Sequence, residues 1–260
     1  MTAIPGKIEI FHVHSFRCGH AEAVPDEAYI RKAIELGARG IWFSDHAPFS
    51  GDPFRNRMRY EELEEYLSTL ADLRERFTGQ IAVHIGLEAE YLPSYAKQGY
   101  YERLRDDPRL EFLLLGQHFA ETEADPPEYT FSWDKERLES DEYTALGEAV
   151  IAGIRSGWFD VVAHPDRIFR RRKMWDVGME QMAGQIIEAA AAASIPLELN
   201  MHSITQKHHY WKEFWELCPS EPIICGVDAH TVDEMDRRYH RQICCSSMCG
   251  GFYDDAKNLS

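Results

Sequence analysis

Seven short apolar, β-branched runs alternate with segments of helical period, and this alternation restricts the fold more than any other feature of the chain. The runs are almost continuously hydrophobic, which is typical of parallel strands covered on both faces. The predicted strands are Ile8–Val13, Gly40–Ser44, Ile81–Leu87, Phe112–Leu115, Phe159–Ala163, Ile195–Leu199 and Pro222–Val227. Strands that alternate with helices form a parallel sheet with right-handed crossovers, so the chain is predicted to be an α/β protein.

The segments between the strands carry helix start and stop signals, among them Pro25 at one start and Gly37 at the same helix's end. Asp141 is predicted to be an N-cap. The predicted helices span 25–37, 63–79, 141–157, 179–193 and 211–215. The polar stretch Ala120–Ser140 is predicted to be a long loop.

No linker or low-complexity stretch divides the 260 residues, so a single domain over 1–260 is expected, with an atypical cysteine-rich tail at 241–260. Neither GxGxxG nor a P-loop motif follows the first predicted strand. Because these motifs are the usual reason for an open doubly wound sheet, their absence favours a closed barrel.

Composition excludes several classes of partner. The net charge of −16 argues against long nucleic acid, which requires a basic surface. No apolar run approaches the roughly 18 residues of a membrane span, and the first residues lack the basic and apolar parts of a signal peptide. We therefore expect a cytoplasmic protein that contacts no membrane. The six cysteines show no CxxC pair and are expected to be reduced.

Nearly every predicted strand ends in an imidazole or a carboxylate. These residues are His12, His14, Asp45, His46, Glu88, His118, His164, Asp228 and His230, with His20 in the loop after the first strand. Barrel enzymes build their active sites at the carboxyl ends of the strands, and these side chains are ligands of borderline divalent metals. The pattern predicts a metal centre at one end of the barrel. By contrast, His84, inside a strand, and Cys18, between His14 and His20, are expected to be packing residues.

The motifs around these residues resemble the polymerase and histidinol phosphatase (PHP) superfamily. The matching pieces are His12-Val13-His14 with His20, Ser44-Asp45-His46, Gly86-Leu87-Glu88, Gly116-Gln117-His118, Ala163-His164-Pro165 and Asp228-Ala229-His230. Longer pieces are similar to its monofunctional histidinol-phosphate phosphatases, namely Asp45–Phe49, Arg57–Leu63, Gly86–Tyr91 and Leu115–Phe119.

The resemblance implies a distorted (β/α)7 TIM-like barrel with three divalent metal ions, which could be zinc, manganese or iron. Residue by residue, it implies that the first metal is bound by His12, His14, Glu88 and Asp228. The second would be bound by Glu88, His118 and His164. The third would be bound by His20, His46 and His230. The Gly-x-Glu pattern favours Glu88 as the bridge, although spacing alone does not distinguish it from Glu90. A hydroxide between two metals would attack the phosphorus of a small phosphorylated substrate.

Three more residues are expected to take part in this chemistry. Arg167, three residues after His164, is the first choice for clamping the phosphate, and Arg17 is the second. Asp45 either protonates the leaving alkoxide or orients a metal-binding histidine, the latter being the more common role.

Three functions are compatible with these observations. The leading one is hydrolysis of L-histidinol phosphate in histidine biosynthesis. A second is a phosphoesterase or nuclease acting on nucleotides or oligonucleotide ends. A third, of another class, is a non-catalytic module stabilised by metals. The complete ligand set argues against it, because a site that has lost catalysis loses ligands first.

Overall fold

A seven-stranded parallel sheet forms the centre of the protein. The structure is a computed structural model that describes residues 9–206, 209–218 and 222–248, with side chains described to residue 242. The strands are β1 (Glu9–Val13), β2 (Gly40–His46), β3 (Ala82–Ala89), β4 (Phe112–Leu115), β5 (Val161–Val162), β6 (Leu197–Asn200) and β7 (Ile223–Gly226), paired in chain order. The seven predicted strands are therefore confirmed.

The two edges of the sheet meet, so the sheet closes into a barrel. The backbone N–H of Val227 donates to the carbonyl of Phe11 at 2.8 Å, and that of His14 donates to the carbonyl of Ala229 at 2.9 Å. These bonds join β1 to the residues directly after β7. The expected distorted (β/α)7 barrel is confirmed.

Helices lie between the strands in the described part of the chain. They are α1 (Asp26–Glu35), α2 (Leu63–Arg76), α3 (Pro93–Lys97), α4 (Tyr100–Arg105), α5 (Lys135–Ser156), α6 (Val177–Ala193), α7 (Met201–Ile204), α8 (Lys212–Glu216) and α9 (Val232–Met248). Helix α9 extends into the predicted atypical tail, and residues 249–260 lie outside the described part. No helix among the described residues has the length and apolar character needed to span a bilayer.

The predicted start of the helix capped by Asp141 is wrong. Helix α5 begins at Lys135, because the side chain of Asp134 accepts the backbone N–H of Arg137 at 2.9 Å. Asp141 lies inside the helix and is exposed. The first two turns contain a single apolar residue, Leu138, so the apolar period becomes visible only near Leu146. The predicted loop over Ala120–Ser140 is correspondingly too long at its carboxyl end.

Apolar side chains fill the barrel below its carboxyl end. This inner cluster consists of Phe11, Trp42, Phe112, Leu114, Val161, Ala163 and Ile224. His84 stacks on Trp42 with ring centroids 3.9 Å apart, and its Nδ1 lies 2.9 Å from a carboxylate oxygen of Glu111. The prediction that His84 packs in the structure is therefore consistent with its contacts. Because these apolar residues fill the lower part of the barrel, the polar groups lie at the carboxyl end of the strands.

Candidate metal centre

A β-bulge in β1 turns His12 into the barrel. Ile10 pairs with Ile41 and Val13 with Phe43, so three steps along β1 match two along β2. The backbone of His12 is left-handed, with φ 71°. The extra residue allows Phe11 to join the inner cluster while the adjacent His12 ring also faces the barrel interior.

Left-handed backbone recurs at other predicted ligands. His164 has φ 33° and Asp228 has φ 49°, and each is the second residue after the end of a short strand. Non-glycine residues rarely adopt this conformation, and such strain concentrates at functional sites. The fold thus uses unusual backbone geometry at three of the nine predicted metal ligands.

The Glu88 carboxylate lies at the centre of the cluster. It is 1% exposed, and ring nitrogens of five histidines surround it. The nitrogen-to-oxygen distances are 2.7 Å for His164, 3.0 Å for His46, 3.5 Å for His12, 3.6 Å for His14 and 3.7 Å for His118. This position suits a carboxylate that bridges two metal ions.

Asp228 and the outer histidines continue the cluster toward the barrel mouth. Asp228 Oδ1 lies 3.5 Å from His14 Nε2 and 3.6 Å from His230 Nδ1. The ring of His20 lies 4.5 Å from that of His230 and 5.4 Å from that of His46. The structure therefore brings together all nine residues that were predicted as metal ligands.

The closest groupings of ligand atoms differ in part from the three sets that the resemblance implied. Within each grouping the ligand atoms lie within 4.8 Å of one another. The groupings are His12, His14 and Asp228; His46, Glu88 and His118; His14, His46 and His230; and Cys18, His20 and His230. The first agrees with the implied first metal. His46 takes part in two groupings, neither of which contains His20.

The donor atoms fit divalent metal ions. Several buried ring nitrogens have no hydrogen-bond partner, namely His12 Nε2, both ring nitrogens of His14, and His230 Nε2. A buried polar atom without a partner costs free energy unless a ligand compensates it. Mixed imidazole and carboxylate donors are typical of zinc, manganese and iron sites. The residues present can thus bind metal ions.

Burial and charge shift two histidines and the central carboxylate toward the forms that bind metals, whereas the carboxylates around His12 and His14 outweigh burial and raise the pKa of those two imidazoles. Burial lowers the pKa of His46 to about 3 and that of His164 to about 4. Burial opposes ionisation of Glu88, but His118 and His12 outweigh it and hold its pKa well below the usual value. Neutral imidazole and ionised carboxylate are the forms that coordinate metals.

Glu198 is a candidate site residue that the sequence interpretation missed. It is fully buried within β6, and its Oε1 lies 2.6 Å from His12 Nδ1. Its Oε2 accepts the backbone N–H of His164 at 3.1 Å. The bond to Nδ1 leaves His12 Nε2 facing the cluster, which is how a carboxylate orients a metal-binding imidazole. The strand-end rule could have identified Glu198, because it lies one residue before the predicted end of the sixth strand.

Glu90 orients His118 in the same way and does not lie at the centre. Its Oε1 is 3.1 Å from His118 Nδ1, and its two oxygens accept from Arg57 at 2.9 and 3.1 Å. Burial raises the pKa of Glu90, but Arg57 and His118 more than compensate and lower it to about 2. The geometry therefore favours Glu88 over Glu90 as the bridging residue.

Asp45 lies behind the ligands. Its carboxylate is fully buried, accepts the Ser15 backbone N–H at 3.0 Å and the Ser15 hydroxyl, and lies 3.7 Å from His14 Nδ1. Its burial behind His14, outside the lining of the cavity over the cluster, favours a supporting role over protonation of a leaving group, although the 3.7 Å separation is longer than a hydrogen bond.

Arg17 is not placed to clamp a phosphate at the cluster. Its guanidinium pairs with Asp26 at 2.9 Å and Glu65 at 2.7 Å, and it also donates to the Ser15 hydroxyl. Since these carboxylates already occupy its N–H groups, Arg17 supports Asp45 through Ser15 from outside the cluster.

Arg167 does face the cluster. It donates to Asp228 Oδ2 at 2.6 Å and to the Ser203 hydroxyl at 3.1 Å. It also lines a cavity of about 750 Å³ that opens over the predicted metal ligands. The cavity is lined by the predicted ligands His20, His46, His118, Asp228 and His230 and by the aromatic side chains Phe54, Phe119 and Phe131. Candidate metal ligands, a guanidinium and aromatic rings thus share one pocket.

Comparisons with known proteins agree with this geometry. A Deinococcus radiodurans protein named "Probable histidinol-phosphatase" is 30% identical over 161 residues, which are 60% of this chain and 59% of that relative. The match therefore spans less than two thirds of that relative's length. The histidinol-phosphatase of Bacillus subtilis is 22% identical over 255 residues, covering 88% of this chain and 95% of the relative.

A solved structure shares the fold. It is the crystal structure of histidinol phosphate phosphatase from Lactococcus lactis, complexed with zinc, L-histidinol and phosphate. Its TM-score is 0.68 at 19% identity, with 95% of each chain covered. A family model described as "PHP domain" matches residues 11–202, which is more than half of the chain. The chain therefore belongs to the PHP domain family.

Proposed function

We propose that this protein is a metal-dependent phosphomonoesterase that hydrolyses L-histidinol phosphate to L-histidinol and phosphate. The observation that carries the proposal is the buried Glu88 carboxylate, surrounded by five imidazoles at 2.7 to 3.7 Å, directly beneath an open cavity. The names of the two curated relatives, and the histidinol and phosphate in the solved relative, support the choice of substrate.

Three divalent ions would be held by the nine predicted ligands, with Glu88 between two of them. When bound, such ions lower the pKa of water and neutralise charge on phosphoryl oxygens. They would also offset the net charge of −16 at the mouth of the barrel, so that an anionic substrate can approach.

The chain's own residues would bind and orient the substrate. Arg167 would donate to phosphoryl oxygens as a planar, charged donor. Its bonds to Asp228 and Ser203 hold the guanidinium in position before the substrate arrives. Phe54, Phe119 and Phe131 form an apolar wall of the same cavity, against which the imidazole ring of histidinol phosphate can pack.

The deciding experiment compares phosphate release from histidinol phosphate, nucleoside monophosphates and short oligonucleotides. We expect histidinol phosphate to be the preferred substrate, with activity abolished in Glu88→Gln and retained in Glu111→Gln. Glu111 is a matched control because it pairs with His84, away from the cluster. Turnover of a nucleotide without turnover of histidinol phosphate would contradict the proposed substrate.

A further inference from the structure

A short turn presents the Cys18 sulfur to the outer part of the metal cluster. Gly19 is left-handed, with φ 78°, and closes the helical turn Phe16–Cys18. The Cys18 Sγ, a ring nitrogen of His20 and a ring nitrogen of His230 lie within 4.8 Å of one another. Burial raises the pKa of the Cys18 thiol, so the metal ion itself would have to displace the thiol proton to give the thiolate, which is the form that binds metals.

The two histidines beside Cys18 have free nitrogens for a shared ligand. His20 Nδ1 lies 3.0 Å from the Cys18 carbonyl oxygen, which fixes the ring and leaves Nε2 available. His230 Nε2 is buried and has no hydrogen-bond partner. His14, which is fully buried and lacks a partner at both ring nitrogens, stacks on His230 with ring centroids 4.2 Å apart.

Cys18 lies in a different environment from two other buried cysteines. Cys218 and Cys225 are members of the main hydrophobic core, as expected for buried cysteines that act as small apolar residues. Cys18 is equally buried, at 0% exposure, but belongs to neither hydrophobic cluster of the described residues. Two of its neighbours are the imidazoles of His20 and His230.

We propose that Cys18 Sγ is a ligand of the metal ion bound by His20 and His230. This inference rests on the proposed metal centre. When the ion binds, the S–H bond is replaced by a sulfur–metal bond and the proton is released to solvent. A thiolate is a soft ligand, so this site would favour zinc, cobalt(II) or iron(II) over manganese or magnesium.

The test is the absorption spectrum of the cobalt(II)-loaded protein. In a parent in which Cys244, Cys245 and Cys249 are changed to serine, we expect a thiolate-to-cobalt charge-transfer band in the near ultraviolet. Cys18→Ser should abolish the band, and the matched variant Cys218→Ser should retain it. A parent without the band, or a band that survives in Cys18→Ser, would overturn the proposal.

A second measurement needs no substitution at Cys18. X-ray absorption of the zinc-loaded parent should show a sulfur neighbour at about 2.3 Å in addition to nitrogen and oxygen at about 2.0–2.1 Å. A first shell without sulfur would refute the proposal. Both measurements are independent of phosphate release, so an incorrect substrate assignment would leave their results unchanged.

Discussion

Gly116 and Gly226 each lie against a carboxylate of the metal centre. A Cβ at position 116 would meet Glu88 Oε1 at 2.0 Å, and one at position 226 would meet Glu198 Oε1 at 1.7 Å. Real Cβ contacts are never this short, so any larger residue would displace the carboxylate. In each case a glycine at the end of the adjacent strand makes room for the carboxylate, since Gly116 follows β4 beside Glu88 in β3 and Gly226 ends β7 beside Glu198 in β6.

Gly116→Ala is expected to weaken metal binding, because it pushes Glu88 away from the five imidazoles. The matched control is Gly184→Ala in α6, where an added Cβ meets nothing within 4 Å. The control should bind metal normally and gain up to about 1 kcal/mol in free energy of unfolding from helix propensity. Metal content after dialysis and urea denaturation measure the two effects. Equal metal content in both variants would contradict this prediction.

Glu198→Gln should lower metal affinity by about 10- to 100-fold, the usual cost of losing a carboxylate that orients a ligand. The substitution keeps the shape of the side chain but removes the charge beside His12 Nδ1. Competition with a chromophoric chelator measures the affinity. Unchanged affinity would mean that Glu198 does not position His12.

Arg167→Ala should reduce kcat/KM for histidinol phosphate by about 10- to 100-fold, because hydrogen bonds to a charged group contribute about 1.5–3 kcal/mol. Arg167→Lys should recover only part of the loss, since lysine cannot donate in a planar fork. Arg172→Ala, which removes an arginine paired with Asp176, should leave the rate unchanged. Arg167 has no role in substrate binding if its alanine variant retains full kcat/KM at normal metal content.

The residues that converge on the cluster can be predicted from the sequence more readily than the contacts that their neighbours make. The ligands could be predicted because parallel strands end at the same side of a barrel. Pairings such as Arg17 with Glu65 or His12 with Glu198 join positions that are distant in the chain. No local pattern encodes such a pairing, so the role of Arg17 could not be predicted.

At the scale of elements, β1 and α5 show where periodicity fails. The bulge in β1 makes Phe11 and His12 face the same side, which strict alternation does not allow. The polar first turns of α5 conceal its start from any search for an apolar stripe. In β1 the left-handed residue His12 determines the local structure, and in α5 the side-chain cap from Asp134 determines where the helix begins.

The capping interaction of α5 can be tested directly. Asp134→Ala should lower the free energy of unfolding by about 1 kcal/mol, because the N–H of Arg137 loses its acceptor. Asp141→Ala, in an exposed position inside the helix, should cost much less. Chemical denaturation of both variants at equal metal content measures the difference. A larger loss for Asp141→Ala would indicate that the helix starts where the sequence suggested.

At the scale of the whole molecule, the nine predicted metal ligands come from six of the seven strands or from the loops that follow them. Bound ions would therefore cross-link the barrel around its circumference. The strand count and closure could be predicted, since alternating strands and helices leave few topologies. The arrangement at the carboxyl end depends on side-chain packing, which a linear pattern does not contain.

Removal of metal should consequently destabilise the whole barrel. At a free metal concentration 1,000 times Kd, a single bound ion adds about 4 kcal/mol to the free energy of unfolding. We expect a lower Tm after treatment with a chelator and recovery when zinc is added back. Glu88→Gln should show a smaller change than the unmodified protein. An identical Tm with and without metal would contradict this prediction.

Titration of the metal-free protein with zinc, followed by phosphate release from histidinol phosphate, tests the central claim most directly. We predict no turnover without metal and a rise in rate that reaches its plateau at three equivalents of zinc per chain. Full phosphate release from the metal-free protein would contradict the account.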